Sequence, residues 1–468
     1  MANIHVHSAA RRAFLKRAAA VSAMGGAAPL LLNLAAMGEA SAAERDYKAL
    51  VCVFLSGGND HANTVVPYDP VNHREYVSLR GGLMTAGGIA FPHDALTATA
   101  LTPAVSQTLT DGLQYALAPA LGGLKTRWDA NQCAVLLNVG PLLGPTDIQQ
   151  YTAGAGLPPR LFSHNDQQSV WQSMAAEGSA EGWGGRIGDL AMSGNQSMLT
   201  CVSAGGNAVF LAGHDVVQYQ IATQGALPIY ASQEDSFGGA CRVGAYRALI
   251  APTLLTGTNL MENDFIAVTQ RSMDLQQVIS SALSGVTVNT AFDANNPLAR
   301  QFGIVARLIA ARGALGLTRQ VFFVQLGGFD NHTGLVAEHA LRMQTLNAAL
   351  SQFHDAMVEL GTTNKVTTFT ASDFGRTLSS NGDGSDHGWG SHHFILGGAV
   401  QGGRYYGTAP QVSITSPDQV GQGRLLPSTS VDQMAATLAR WFGVSSSNLP
   451  LVAPHIGSFD NLDLGFMG

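Results

Sequence analysis

The chain has 468 residues, 12% of them charged and 46% hydrophobic, with a formal net charge of −7. That balance excludes a disordered polymer and offers no broad basic surface for nucleic acid. It leaves a large globular protein, rich in loops by its 54 glycines, with ample material for a core.

The first element is an export signal. Arg11-Arg12-Ala13-Phe14-Leu15-Lys16 is a twin-arginine pattern, an Ala-rich apolar stretch follows from Ala18 to about Met37, and Ala40-Ser41-Ala42 is a small-residue cleavage motif. A cytosolic protein with a basic N-terminal helix would not need the three in this order. The reading is a removable signal over 1–42, recognised by the Tat export machinery, with the mature protein periplasmic or secreted. No later run reaches the roughly 18–20 apolar residues of a span, so none is expected in the mature chain.

Next come short apolar runs ended by turn residues, read as buried strands at 48–55, 134–139, 198–203, 208–211, 321–326 and 366–370. Helical periodicity marks 296–313, 336–360 and 432–442, the last closed by Gly443. Continuous apolar strands separated by helices predict an α/β fold: a mostly parallel central sheet with helices on both faces. Residues 43–468 read as a single domain, with the less regular 203–290 as the place of an insertion or cap. Cys52, Cys133, Cys201 and Cys241 are widely spaced without a C-x-x-C motif. They read as buried thiols, with a Cys201–Cys241 disulfide permitted in an oxidising compartment.

Three of these strands end in polar, Gly-rich loops. They carry Ser56-Gly57-Gly58-Asn59-Asp60-His61, then Gly327-Gly328-Phe329-Asp330-Asn331-His332, then Ser372-Asp373-Phe374-Gly375-Arg376. In an open parallel sheet, ligands bind beyond the carboxyl ends of the strands. If the three strands are neighbours, Asp60, Asp330, His332 and Asp373 meet at one edge. Asp386, His387, His392 and His393 fold over them from the following loop. Mixed carboxylates and imidazoles suit divalent metal ions: zinc, manganese, or calcium if oxygens dominate. Each has a structural alternative. Asp60 and Asp330 fit Asx turns after Gly-Gly, and Asp373 fits the cap of a helix starting near Phe374. Arg376 fits either an anion grip or a structural ion pair. A second cluster runs from Pro159 to Gln168. Ser163 there suggests a nucleophile and His164 a residue lining the site, although sequence neighbours are usually poor nucleophile–base partners.

Taken together, the signal, LSGGNDHANTVVP, SHNDQQ, GGFDNH, SDFGRT and DHGWGSHHFILGG resemble the DUF1501 family of exported bacterial proteins, over nearly all the mature chain. That family resembles in turn the alkaline phosphatase and sulfatase superfamily. The resemblance implies an alkaline phosphatase/sulfatase-like core with metal-binding acids and histidines at the strand ends. By it, Asp60 is similar to a first-strand ligand and Asp330 with His332 to an Asp…His pair. Asp373 is similar to the acid of a later Asp-His pair, and His387 or His393 to the final histidine. Phe374 departs from that pattern, where a phosphatase carries histidine, and no clear Ser, Thr or Cys nucleophile follows the second strand. The implied activity is metal-dependent hydrolysis of a phosphate or sulfate ester, on a small-molecule or polysaccharide-linked substrate. The alternative is a non-catalytic metal-binding or assembly protein on the same fold.

Overall fold

The computed structural model describes residues 47–195, 199–233, 239–251 and 259–468. The signal at 1–42 and Met198, at the head of one expected strand, lie outside the described residues.

Nine strands form one sheet: β1 (Lys48–Ser56), β2 (Cys133–Gly140), β3 (Cys201–Ser203), β4 (Tyr219–Gln220), β5 (Arg319–Gly327), β6 (Val366–Ser372), β7 (Ser391–Leu396), β8 (Tyr405–Tyr406) and β9 (Thr429–Ser430). Their order is β8-β2-β7-β6-β1-β5-β3-β4, with β9 also on β2. The sheet is mostly parallel; β7 alone reverses, running antiparallel to both β6 and β2. β1 sits centrally, parallel to β5 with Ser56 opposite Gly327 and to β6 with Leu55 opposite Ser372. The three Gly-rich loops therefore leave the sheet side by side at one edge.

Both faces of the sheet are covered, which is why its strands read as unbroken apolar runs. Successive side chains of a strand point to opposite faces. Ala49, Val51, Val53 and Leu55 of β1 join one core with Leu298, Phe302 and Val305 of α6 (Pro297–Ala310) and Met343, Leu346 and Phe353 of α7 (Leu335–Glu359). Leu50, Cys52 and Phe54 join the other, with Trp171 of α2 (His164–Ser173), Trp183 and Ile187 of α3 (Trp183–Asn195) and Met434, Leu438 and Phe442 of α8 (Val431–Phe442). Asn296 caps α6 by accepting from the Leu298 and Ala299 amides, and Gly443 ends α8 at a φ of 119°. An earlier helix, α1 (Pro70–Leu79), ends at Arg80.

Several expectations change. The run at 208–211 is no strand: Val209–Leu211 is a short 3-10 turn whose Phe210 packs on Trp183 with ring centroids 4.7 Å apart. It is apolar because it fills the core, not because it pairs. The region at 203–290 holds strand β4 and two helices, α4 (Gly239–Leu249) and α5 (Leu260–Ser284). α5 has few buried positions and several exposed apolar ones, Met261 and Phe265 among them, so its apolar pattern was weak. No helix follows Asp373. The chain instead pairs with the 388–390 stretch, Gly375 N donating to Trp389 O (3.1 Å) and Gly388 N to Gly375 O (2.7 Å). All four cysteines are free, three buried and Cys241 exposed, so the permitted Cys201–Cys241 bridge is not made.

Candidate metal centre

Asp330 is the hub of the site. The turn at Gly327-Gly328, with Gly328 at a φ of 94°, lifts it off the end of β5, and its side chain stays 44% exposed. The β1 loop presses against it. A Cβ on Gly57 (φ 116°) would lie 2.5 Å from the Asp330 amide nitrogen, so only glycine fits there. Arg376 fixes the carboxylate from behind, donating through Nη1 to Asp330 Oδ1 (2.8 Å) and Gly57 O (3.1 Å). Its Nε donates to Ser385 O at 3.1 Å, and Nη2 donates to the same carbonyl. The guanidinium is fully buried and has no open face. The expected anion grip is therefore a brace for Asp330.

Three imidazoles surround this carboxylate. His164 Nε2 lies 3.5 Å from Asp330 Oδ2. His332 Nε2 and His387 Nε2 lie 3.1 Å and 3.2 Å from Oδ1, and 2.9 Å from each other. One atom from each of His164, Asp330 and His387 falls within a 4.8 Å group, and His332 adds a second triangle on the Asp330–His387 edge.

What the other ring nitrogens do decides the chemistry. His164 Nδ1 donates to Asp373 Oδ2 (2.7 Å), His332 Nδ1 to Asp386 Oδ1 (2.9 Å) and His387 Nδ1 to Phe162 O (2.8 Å). Each acceptor fixes the proton on Nδ1 and leaves Nε2 as a lone pair. Three lone pairs and a carboxylate then face one another, an arrangement stabilised by a cation between them, either a metal ion or a proton on one of the rings. The 2.9–3.2 Å edges of the His332–His387–Asp330 triangle are close to the ~3.3 Å between ligands on a tetrahedral ion with bonds of about 2.0–2.1 Å. The donor set therefore fits a divalent transition metal, zinc before calcium.

The electrostatics favour this arrangement at Asp330, Asp386 and His387 and oppose a neutral ring at His164. Burial works to raise the Asp330 pKa, but the hydrogen bond and charge of Arg376 outweigh it and keep the group ionised. Burial likewise opposes ionisation of Asp386, and hydrogen bonds from Asn381 and His332 overcome it. The hydrogen bond to Asp373 raises the His164 pKa. Burial lowers that of His387, which keeps it neutral and free to ligate.

The other expected site residues sit elsewhere in the network. Asp373 is fully buried and holds His164 in place; Gln168 Nε2 donates to the same Oδ2 (2.7 Å) and Gly57 N to Oδ1 (3.1 Å). Asp386 holds His332 and accepts from Asn381 (2.9 Å). Asp60 is paired with Arg80 at 2.6 Å and accepts from Ser385 Oγ at 2.7 Å. His392 and His393 lie inside β7. His392 Nδ1 accepts from the Asn138 amide (3.0 Å), while His393 contacts the Thr370 hydroxyl (3.2 Å) and the Trp171 ring. Of the histidines at 387, 392 and 393, His387 is the one brought to the group. Ser163 donates to Asp166 (2.7 Å) and His164 turns to Asp373, so they do not form a nucleophile–base pair.

Two supporting residues were not anticipated. Gln168 stands four residues after His164 on α2, a helical spacing that puts both on one face. The Phe162 carbonyl left no trace in the sequence, because every residue has one.

Residues 244–453 match the family model described as "Protein of unknown function (DUF1501)". Over that span, less than half of the chain, it is similar to that family. Among curated proteins none matches. Among solved structures it is similar to "Ps i-CgsB in complex with k-i-k-neocarrahexaose" (12% identity, TM-score 0.36, covering 89% of this chain and 77% of that one). It is similar too to the PsFucS1 sulfatase from Pseudoalteromonas sp. (9%, TM-score 0.34, 88% and 72%). A third is the lipoteichoic acid synthase LtaP from Listeria monocytogenes (8%, TM-score 0.33, 89% and 76%). The activities in those names stay with those proteins.

Proposed function

We propose that the mature protein is an exported, metal-dependent hydrolase of a phosphate or sulfate ester, with a divalent ion held by His164, Asp330, His332 and His387. The observation that carries the reading is the convergence of three Nδ1-anchored imidazoles on one braced carboxylate. An ion held there supplies a Lewis acid for a phosphoryl or sulfuryl oxygen. The side chains do the rest. Arg376 holds Asp330, Asp373 with Gln168 holds His164, and Asp386 with Asn381 holds His332. Asp330 and His332 are both more than 40% exposed, so a substrate reaches the group from solvent. The twin-arginine pattern at Arg11-Arg12 supports a periplasmic or secreted location for this chemistry.

The test is metal analysis of the mature protein purified from the periplasm, followed by a panel of aryl phosphates and aryl sulfates. The expected result is about one ion per chain, lost in His332→Ala and His387→Ala, with turnover that follows metal content. Less than ~0.2 ion per chain, unchanged in both variants, would overturn it. One observation favours a second reading, a non-catalytic metal-binding or assembly protein. Among the described residues, no Ser, Thr or Cys side chain hydrogen-bonds to His164, Asp330, His332 or His387, and Ser163 is committed to Asp166. Bound metal without turnover of any ester would select that reading.

A further inference from the structure

One of the three Nδ1 anchors differs in kind. His164 and His332 are held by carboxylates, whereas His387 is held by a main-chain carbonyl, that of Phe162 (2.8 Å). A carbonyl is only as well placed as its backbone, and this backbone is unusual. Phe162 has a φ of 72° and Arg160 a φ of 44°, two left-handed non-glycine residues within three positions. Each costs on the order of 1 kcal/mol and persists only where its surroundings hold it.

Those surroundings point to Arg424. Its guanidinium stands 5.2 Å from the centre of the Phe162 ring, and its Nε donates to the carbonyl of His387 at 2.8 Å. The contacts close a ring: Phe162 O takes the His387 side chain, Arg424 takes the His387 main chain, and Arg424 covers the Phe162 ring. Phe162 also packs against the apolar cluster of Leu142, Trp389, Val420, Leu426 and Phe459. Two residues beyond Phe162, the same segment delivers His164, whose imidazole meets that of His387 edge to face at 4.5 Å.

We infer that Phe162 is a positioning residue for His387, acting through its carbonyl, and that the Arg424–Phe162 contact holds the strained segment in the geometry the metal needs. The inference rests on the metal reading above, and wild-type binding tests that reading separately. The probes are zinc affinity, by competition with a chromophoric chelator, and the visible ligand-field spectrum of the cobalt-loaded full mature protein. Phe162→Ala keeps the carbonyl and the left-handed strain but loses the ring, so zinc affinity falls by about 10-fold or more and the cobalt spectrum changes. Phe162→Gly also loses the ring but removes the strain, and binds more tightly than Phe162→Ala. Arg424→Met weakens zinc similarly, and the double variant with Phe162→Ala is little worse than either single one. Phe162→Leu guards against misfolding, since it keeps apolar bulk and loses only the cation contact; it falls between wild type and Phe162→Ala. Wild-type zinc affinity and an unchanged cobalt spectrum in Phe162→Ala and Arg424→Met would overturn the inference. Failure of the wild type itself to bind zinc or cobalt would remove the metal reading on which it stands.

Discussion

The β1 and β5 loops are near twins with opposite fates. Both leave neighbouring parallel strands through Gly-Gly, and both carry an aspartate two residues later, Asp60 in one and Asp330 in the other. Asp60 is 1% exposed and is neutralised inside the protein by Arg80, itself 0% exposed. Burial pushes its pKa up, but the nearby charges of Arg80, His339 and His61 hold it well below the usual range. Asp330 meets a buried cation on one side only; its other side opens to three imidazole lone pairs and solvent. The same sequence punctuation thus gives a finished structural ion pair in one loop and an open ligand set in the other. A satisfied carboxylate stabilises; one that still lacks a counter-charge can bind.

The largest expected effect comes from breaking the finished side. Arg80→Met strands Asp60 as a buried charge and should cost about 3–5 kcal/mol of stability, measured by urea unfolding in chelator. Asp330→Asn should abolish tight zinc binding while costing less apo stability than Arg80→Met, because the new amide oxygen still accepts from the buried Arg376 and the position is half exposed. If both variants lose stability equally, the contrast between the loops is wrong.

The next effect is pH dependence of the buried side. Burial lowers the pKa values of His61 and His339 to about 4 in the native protein. The unfolded chain takes up these protons at its ordinary value of about 6.5, so stability is fully present above pH ~6.5 and falls as pH drops towards 4. At ~1.4 kcal/mol per pH unit, the loss is on the order of 3 kcal/mol per imidazole. Urea midpoints of the chelated protein should fall steadily across that window; a flat profile would mean that the two rings are not held neutral.

Gly57 joins the loops, and Gly57→Ala should disturb both. It forces a left-handed φ of 116° on alanine and drives a Cβ into the Asp330 amide. A stability loss of about 1–3 kcal/mol should accompany a measurable drop in zinc affinity. An unchanged zinc affinity would show that the loops are mechanically independent.

Strand sequences revealed where the site lies better than what holds it. The runs that became β1 and β5 are largely apolar and that of β6 is buried on both faces, so their ends and loops stood out, and Asp330 and His332 with them. Asp60 and Asp330 look alike in sequence because the difference is made by Arg80, placed by the end of α1. His392 and His393 were grouped with His387 by proximity along the chain. Strand geometry separates them, since β7 carries the pair into the sheet while His387 stays on the loop before it. His164 stood out as a residue lining the site but not as a partner of Asp373, which lies 209 positions away.

The smallest expected effect sharpens the open side. Within the ligand group Asp386 hydrogen-bonds to His332, and its carboxylate is 38% exposed. Asp386→Asn keeps an oxygen that accepts from His332 Nδ1, so the ring stays oriented and the tautomer is preserved. Only the negative charge is removed, and with it the added basicity it lends to Nε2. Zinc affinity should therefore fall by about 10-fold, the low end of such substitutions, with unfolding in chelator unchanged. Asp386→Ala removes the acceptor as well, freeing the ring to turn and the proton to move to Nε2, and should lose more. If the two variants are equal, Asp386 matters through its charge alone. If only Asp386→Ala loses affinity, orientation is what the open loop requires, and Asp330 differs from Asp60 by the directions in which its neighbours' lone pairs point.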